Sequence, residues 1–132
     1  MDPGGRIALP SVALQSVALD AVSRLIVAYE PVWAIGEAGT VASAAYICEM
    51  LAWIRSVLRG CLGDRLAASV PLLYGGSINL DNAAEIVRIE EAAGLFVGRT
   101  AWTIEGFDRL ISICLSESRR RERSAQQSKR VS

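Results

Sequence analysis

Glu30 follows an apolar run, LIVAY (residues 25–29), and precedes Pro31, Val32 and Trp33. Proline at 31 removes a backbone donor and biases the residue before it toward extended backbone, so the carboxylate projects from a stiff strand end. A carboxylate held there beside apolar groups that exclude water is a candidate general base. A structural salt bridge at a strand end would use the same residue, and Glu30 alone does not choose between the two.

The stretch after it is unusual for a loop. Residues 31–40 begin apolar (Val32, Trp33, Ile35) and become pliant at Gly36, Ala38 and Gly39. Connections usually expose polar residues; an apolar tip between flexible ends suits a lid that closes over a site. Two further turns, YGGS (74–77) and VGRT (97–100), place Gly75, Gly76 and Gly98 directly after apolar runs and before helical patterns. Backbone amides bared by glycine beside a helix start can hold an anion, phosphate being the common occupant, with Ser77 and Arg99 flanking the turns. Glycine also serves any tight turn, and that plainer reading stands beside the first.

The elements that must position these residues follow from periodicity. Residues 11–24 carry apolar positions at helical spacing with Ser11 as a possible N-cap. Continuous apolar runs at 25–29, 70–74 and 94–98 are short enough for strands buried on both faces. Helical patterns occupy about 42–59, closed by Gly60, then from Asn79 or Asp81 to about Ile89, and about 103–116. CLGDRLAAS (61–69) reads as a connector, and Trp53 and Trp102 read as helix-packing aromatics. The order is a helix, then strand–helix three times. Apolar strands alternating with helices imply an α/β fold with a parallel, helix-covered sheet, whose function sits at the carboxyl ends of the strands. Each of the informative sequences lies at such an end.

Composition bounds the rest. The chain has 132 residues, 52% apolar and 21% charged, which suits a folded domain with a real core. No apolar window reaches the length of a membrane span, and the start lacks the pattern of a secretory signal. Cys48, Cys61 and Cys114 show no metal-ligand spacing and the chain contains no histidine, so no metal and no cofactor is expected, and the thiols fit a reducing, cytoplasmic setting. Residues 119–130 hold six basic residues against one acidic, leaving the preceding 118 residues at −5. Such a run could seek nucleic acid or membrane, but it has no interleaved aromatic; residues 117–132 read as a solvated, disordered tail, with neither nucleic acid nor membrane as partner.

AYEPVWAIG (28–36), then YGGS (74–77), then LFVG (95–98), in this order and spacing, resemble the triosephosphate isomerase family over about residues 20–116. Residues 1–19 lie ahead of the resemblance. It implies the C-terminal portion of a (β/α)8 barrel, about three β–α units preceded by a helix, and an aldose–ketose isomerase that works through an enediolate on a small phosphorylated sugar. Position by position, Glu30 resembles the base; Pro31, Val32 and Trp33 resemble the first lid hinge; Gly36 resembles the lid residue whose amide meets the phosphate. Ser77 resembles the serine that donates to that phosphate, Tyr74 the lid latch before the Gly75–Gly76 turn, and Gly98 with position 99 the pair completing the cradle. The implied substrates are glyceraldehyde 3-phosphate and dihydroxyacetone phosphate of glycolysis and gluconeogenesis, with a tetrulose phosphate as the alternative.

The chain departs from that pattern in three ways. The last pair is Gly98–Arg99 where the family usually has Gly–Gly, and the lid continues EAGTV where many members have TGKTA; GEAGT and VGRTAW are closer to a bacterial branch isomerising erythrulose phosphate. The family's lysine and electrophilic histidine have no counterpart: there is no histidine, and the only lysine is Lys129. The loop through which the family's homodimers interlock is missing too. The sequence therefore supports an isomerase segment of a longer gene, a half that needs a complementary chain, or a non-catalytic remnant that still binds phosphate.

Overall fold

The computed structural model describes residues 21–36 and 39–131. Three short parallel strands form its sheet: β1 (Val27–Tyr29), β2 (Leu72–Gly75) and β3 (Gly94–Phe96), in spatial order β1-β2-β3. Tyr29 pairs in register with Tyr74, and Tyr74 with Leu95, so the three carboxyl ends lie side by side. Each strand is followed by helix, the arrangement expected of successive units of a (β/α)8 barrel. The proposed helix over 11–24 falls mostly outside the described residues; its end is a single 3-10 turn, Val22–Arg24, with Val22 in the core.

Helix α1 (Ala44–Leu62) starts where Ser43 Oγ accepts the Tyr46 amide at 3.2 Å. It buries Ile47, Leu51, Ile54 and Leu58, one stripe at three- and four-residue spacing, against the sheet. The helix does not close at Gly60, which stays within it, but three residues later at Gly63. Gly63 takes φ +77° and its N–H donates to the Arg59 carbonyl at 2.9 Å, a conformation only glycine adopts cheaply. The stretch after it is no bare connector: α2 (Asp64–Ser69) is a short helix packed on α1.

Arg55 accounts for that packing. It is buried within the α1 stripe, and its Nη1 donates to the Ala67 carbonyl and, at 2.7 Å, to the Val70 carbonyl, while Nε pairs with Glu91 at 2.7 Å. One guanidinium thus satisfies the Val70 carbonyl and shares the Ala67 carbonyl with the Val70 amide, just before β2 begins.

Beyond β2, Asn79 and Asn82 bond reciprocally: Asn79 Oδ1 accepts the Asn82 amide at 3.0 Å, and Asn82 Oδ1 the Asn79 amide at 2.9 Å. This sets the entry to α3 (Ala83–Val87), shorter than the pattern implies. The last helix, α4 (Ile104–Val131), departs most from expectation. It does not stop near 116, and the basic stretch continues it rather than forming a disordered tail. The arginines, alanine and glutamines of 119–127 are strong helix formers, and Glu117 anchors the junction with a two-bond pair to Arg88, both bonds 2.8 Å. Trp102 is likewise corrected: it is 79% exposed, carried outward by the turn that precedes α4, whereas Trp53 does pack against the core. No described helix is long and apolar enough to cross a membrane.

Candidate functional site

The carboxyl rim of the sheet gathers the residues singled out by sequence. Glu30 leaves β1 just ahead of Pro31, whose φ −65° and ψ 126° continue the extended path. The Glu30 side chain turns across the end of β2 and occupies the space over Gly75: a Cβ there would stand 2.9 Å from Glu30 Cγ and 3.0 Å from Oε1. Phe96 of β3 closes the same space at 3.1 Å. The carboxylate is exposed to solvent on the rim, and no cation pairs with it among the described residues, so the salt-bridge alternative finds no partner.

The loop after Glu30 is tightly pinned at its base. Ala34 donates its amide to the Pro31 carbonyl at 2.8 Å, forming the 3-10 turn Val32–Ala34, and Thr40 N–H returns to the Trp33 carbonyl at 3.0 Å. Ala34 is fully buried, while Val32 is 81% exposed and Ile35 also faces out. Trp33 lies edge-on to Tyr46 with ring centroids 5.2 Å apart. Gly36 has φ +84°, and Gly39 has no room for a side chain, since a Cβ would fall 2.8 Å from Ser77 Oγ and from the Ala34 carbonyl.

Hydrogen bonds from three side chains then join the loops of the three strands into one structure. From the β2 end, Ser77, itself at φ +37°, directs its Oγ to the Ala34 carbonyl at 2.7 Å, with the Gly39 carbonyl at 3.2 Å. From the β3 end, Arg99 Nη2 donates to the Gly36 carbonyl at 2.7 Å. Between β2 and β3, Thr100 Oγ1 donates to the Ile78 carbonyl at 2.6 Å. A Cβ on Gly98 would meet nothing, so the backbone there is open to an approaching group.

Beneath the rim is a tyrosine cluster. Tyr29 and Tyr46 share a hydrogen bond of 2.8 Å between hydroxyls, and the Tyr29 and Tyr74 rings lie 6.3 Å apart. Burial raises the Tyr29 hydroxyl above its ordinary value, aided by the bond to Tyr46. Burial, then the neighbouring Tyr46, pushes Tyr74 up to about 12. Both therefore remain neutral donors around neutral pH. The Tyr74 hydroxyl is buried without a hydrogen-bond partner among the described residues, 2.9 Å from where a Cβ on Gly76 would stand.

The structure thus brings together Glu30, Gly75, Gly76, Ser77, Gly36 and Arg99, with Pro31 and Trp33 at the loop base. Val32 stands apart, pointing to solvent, and Tyr74 is buried in the core with its hydroxyl beside Gly76. Sequence reasoning missed Tyr46 and Thr100. Tyr46 carries one legible signal, a polar-tipped aromatic in the first turn of the helix that follows the loop; Thr100 carries none.

Comparison with known proteins adds a second kind of finding. The model of the family described as triosephosphate isomerase matches residues 10–114. A protein named L-erythrulose-1-phosphate isomerase from Rhizobium rhizogenes is 41% identical over 97 residues, 74% of this chain and 36% of the relative. Proteins of the same name from Brucella abortus and Mycolicibacterium smegmatis are 42% and 35% identical, covering 72% and 76% of the chain and 36% of each relative. The chain spans about a third of the length of these relatives.

Proposed function

The chain belongs to the triosephosphate isomerase family, and on that premise we propose that it is the C-terminal part of a sugar-phosphate isomerase acting on a tetrulose phosphate, L-erythrulose 1-phosphate. The observation that carries the reading is the joining of three strand-end loops around one unpaired carboxylate, Glu30. Relatives that match over most of this chain bear the tetrulose-phosphate name. They favour that substrate over the triose phosphates of glycolysis and gluconeogenesis, which the resemblance puts first.

In this scheme Glu30 removes a proton from the carbon beside the substrate carbonyl and returns it to the neighbouring carbon, moving the carbonyl by one position through an enediolate. The reaction shifts a proton and needs no redox cofactor. Ser77 and the backbone at Gly36, Gly98 and Arg99 hold the phosphate, and the 31–40 loop covers it. Ser77 has one hydroxyl proton, now given to the Ala34 carbonyl. Taking a phosphate oxygen means surrendering that bond, so ligand entry and loop position are linked. A reducing cytoplasm suits the three unpaired thiols.

The electrophile that steadies the enediolate oxygen has no candidate in this chain, which lacks histidine. Losing one such donor lowers the rate about 10²–10³-fold. A different observation favours a second reading, a half completed by another polypeptide. Beside β3 an apolar cavity of about 330 Å³ is lined by Leu95, Val97, Phe107, Leu110, Ile111 and Leu115, and Phe96 is 52% exposed next to it. Among the described residues nothing pairs with the outer edges of β1 and β3. Unpaired edges and open apolar faces are what barrel closure normally covers. The test is calorimetric titration of the chain with L-erythrulose 1-phosphate and dihydroxyacetone phosphate, alone and with a chain carrying the relatives' preceding β–α units. The tetrulose phosphate binding more tightly, with turnover only in the mixture, is the expected result; a phosphate-binding remnant would bind without turnover in either.

A further inference from the structure

The loop after β1 is fastened at two heights. Ser77 holds its base through the Ala34 carbonyl, and Arg99 holds its apex through the Gly36 carbonyl, a tie across 63 residues of sequence. The only other described donor to the Gly36 carbonyl is the Gly39 amide at a long 3.4 Å. Gly36 sits at φ +84° with open space around it, so packing does not fix the apex. The guanidinium does.

Arg99 is exposed, and none of the described carboxylates pairs with it. Its bond to Gly36 uses one of five N–H groups and a neutral acceptor. A full positive charge with unused donors therefore stands between the open backbone of Gly98 and the loop. Hydrogen bonds from guanidinium to an anion are about twice as strong as neutral ones and are often bidentate. The planar fork can keep one N–H on Gly36 while turning others to an anion.

We propose that Arg99 is a positioning residue, whose side chain fastens the 31–40 loop through the Gly36 carbonyl and couples that loop to a phosphate-class anion held over Gly98. The role belongs to the side chain and goes beyond the backbone amide that the resemblance assigns to this position. It rests on the phosphosugar reading above. Glycine at 99, usual in the family, could not perform it. Anion entry through Arg99 tightens the apex at the same time as it draws Ser77 off the base.

Hydrogen–deuterium exchange of the peptide spanning residues 31–41 tests this in the full chain, with and without inorganic phosphate, for the wild type, Arg99→Ala and Arg99→Lys. Without phosphate, Arg99→Ala raises loop exchange about fivefold, the size one hydrogen bond carries, and α1 peptides stay unchanged as the control for folding. Phosphate slows loop exchange in the wild type but not in Arg99→Ala. Arg99→Lys, a point charge without the fork, recovers phosphate affinity and not the protection of the loop. Loop exchange in Arg99→Ala equal to wild type overturns the fastening, and equal phosphate protection in both overturns the coupling. Calorimetry separates the two failures: phosphate binding to no form defeats the phosphosugar reading, whereas equal binding and equal protection in every form defeat this proposal alone.

Discussion

Glu30 and Gly75 share one space. The carboxylate arm of Glu30 lies where a side chain at 75 would be, 2.9 Å from Cγ and 3.0 Å from Oε1. The glycine of β2 is therefore required less by its own backbone than by the acid of β1 passing over it.

Gly75→Ala follows directly. The added methyl displaces the Glu30 carboxylate while Ser77 and Gly98 keep their places. In the complemented enzyme kcat falls about 10²-fold with KM little changed, because displacement of a reacting group by about 1 Å has that effect. Steady-state kinetics with L-erythrulose 1-phosphate checks it; a KM defect with intact kcat would show that the methyl had disturbed the phosphate grip instead.

Gly60 and Gly63 give opposite outcomes to the same substitution. Gly60 lies inside α1, exposed, with nothing near a Cβ; Gly60→Ala raises stability by about 0.5–1 kcal/mol. Gly63 is at φ +77°; Gly63→Ala lowers stability by about 1 kcal/mol or more. Urea midpoints at equal m-values measure both.

Arg55 holds α2 against α1 from a buried position. Arg55→Ala strands the Val70 carbonyl, leaves the Ala67 carbonyl only the Val70 amide at 3.2 Å and unpairs the Glu91 carboxylate, a loss of about 3 kcal/mol. Glu91 keeps some exposure, so it can rehydrate, and Glu91→Gln is the milder change. Urea unfolding of the two variants should rank them in that order.

Glu117 makes stability depend on acid. The bonds from Arg88 lower its carboxyl from an ordinary 4.5 to about 2, with burial opposing. A folded-state value below the unfolded one stabilises above about 4.5, and that contribution is lost as pH falls from there toward 2. Thermal midpoints of the wild type should therefore fall over this window more steeply than those of Glu117→Gln, and the two curves should converge at the acid end.

The same residues show what sequence alone makes legible. The three strands and the helices between them follow from apolar runs and stripes such as Ile47, Leu51, Ile54 and Leu58, because burial dictates those periods. The end of α1 does not, since Gly60 and Gly63 differ only in backbone handedness, which composition does not carry. The basic end of the chain invites a disordered reading from its charge, yet its residues are helix formers, and the partner of Glu117, Arg88, lies 29 residues away. Arg55 looks like a polar position in a helix until the carbonyls of Ala67 and Val70 surround it. In the site, Glu30, Gly75 and Ser77 are legible as a motif; the bond between Arg99 and Gly36 is not, because it depends on how loops 63 residues apart meet.

The most direct measurement is the exchange of carbon-bound hydrogen with solvent deuterium in L-erythrulose 1-phosphate, by the chain complemented with the relatives' preceding β–α units. Glu30 and Glu30→Gln are compared at saturating substrate. The expected result is exchange accompanying isomerisation with Glu30, and loss of both with glutamine while phosphate binding persists. Equal exchange by the two proteins would contradict the role of Glu30 as the base.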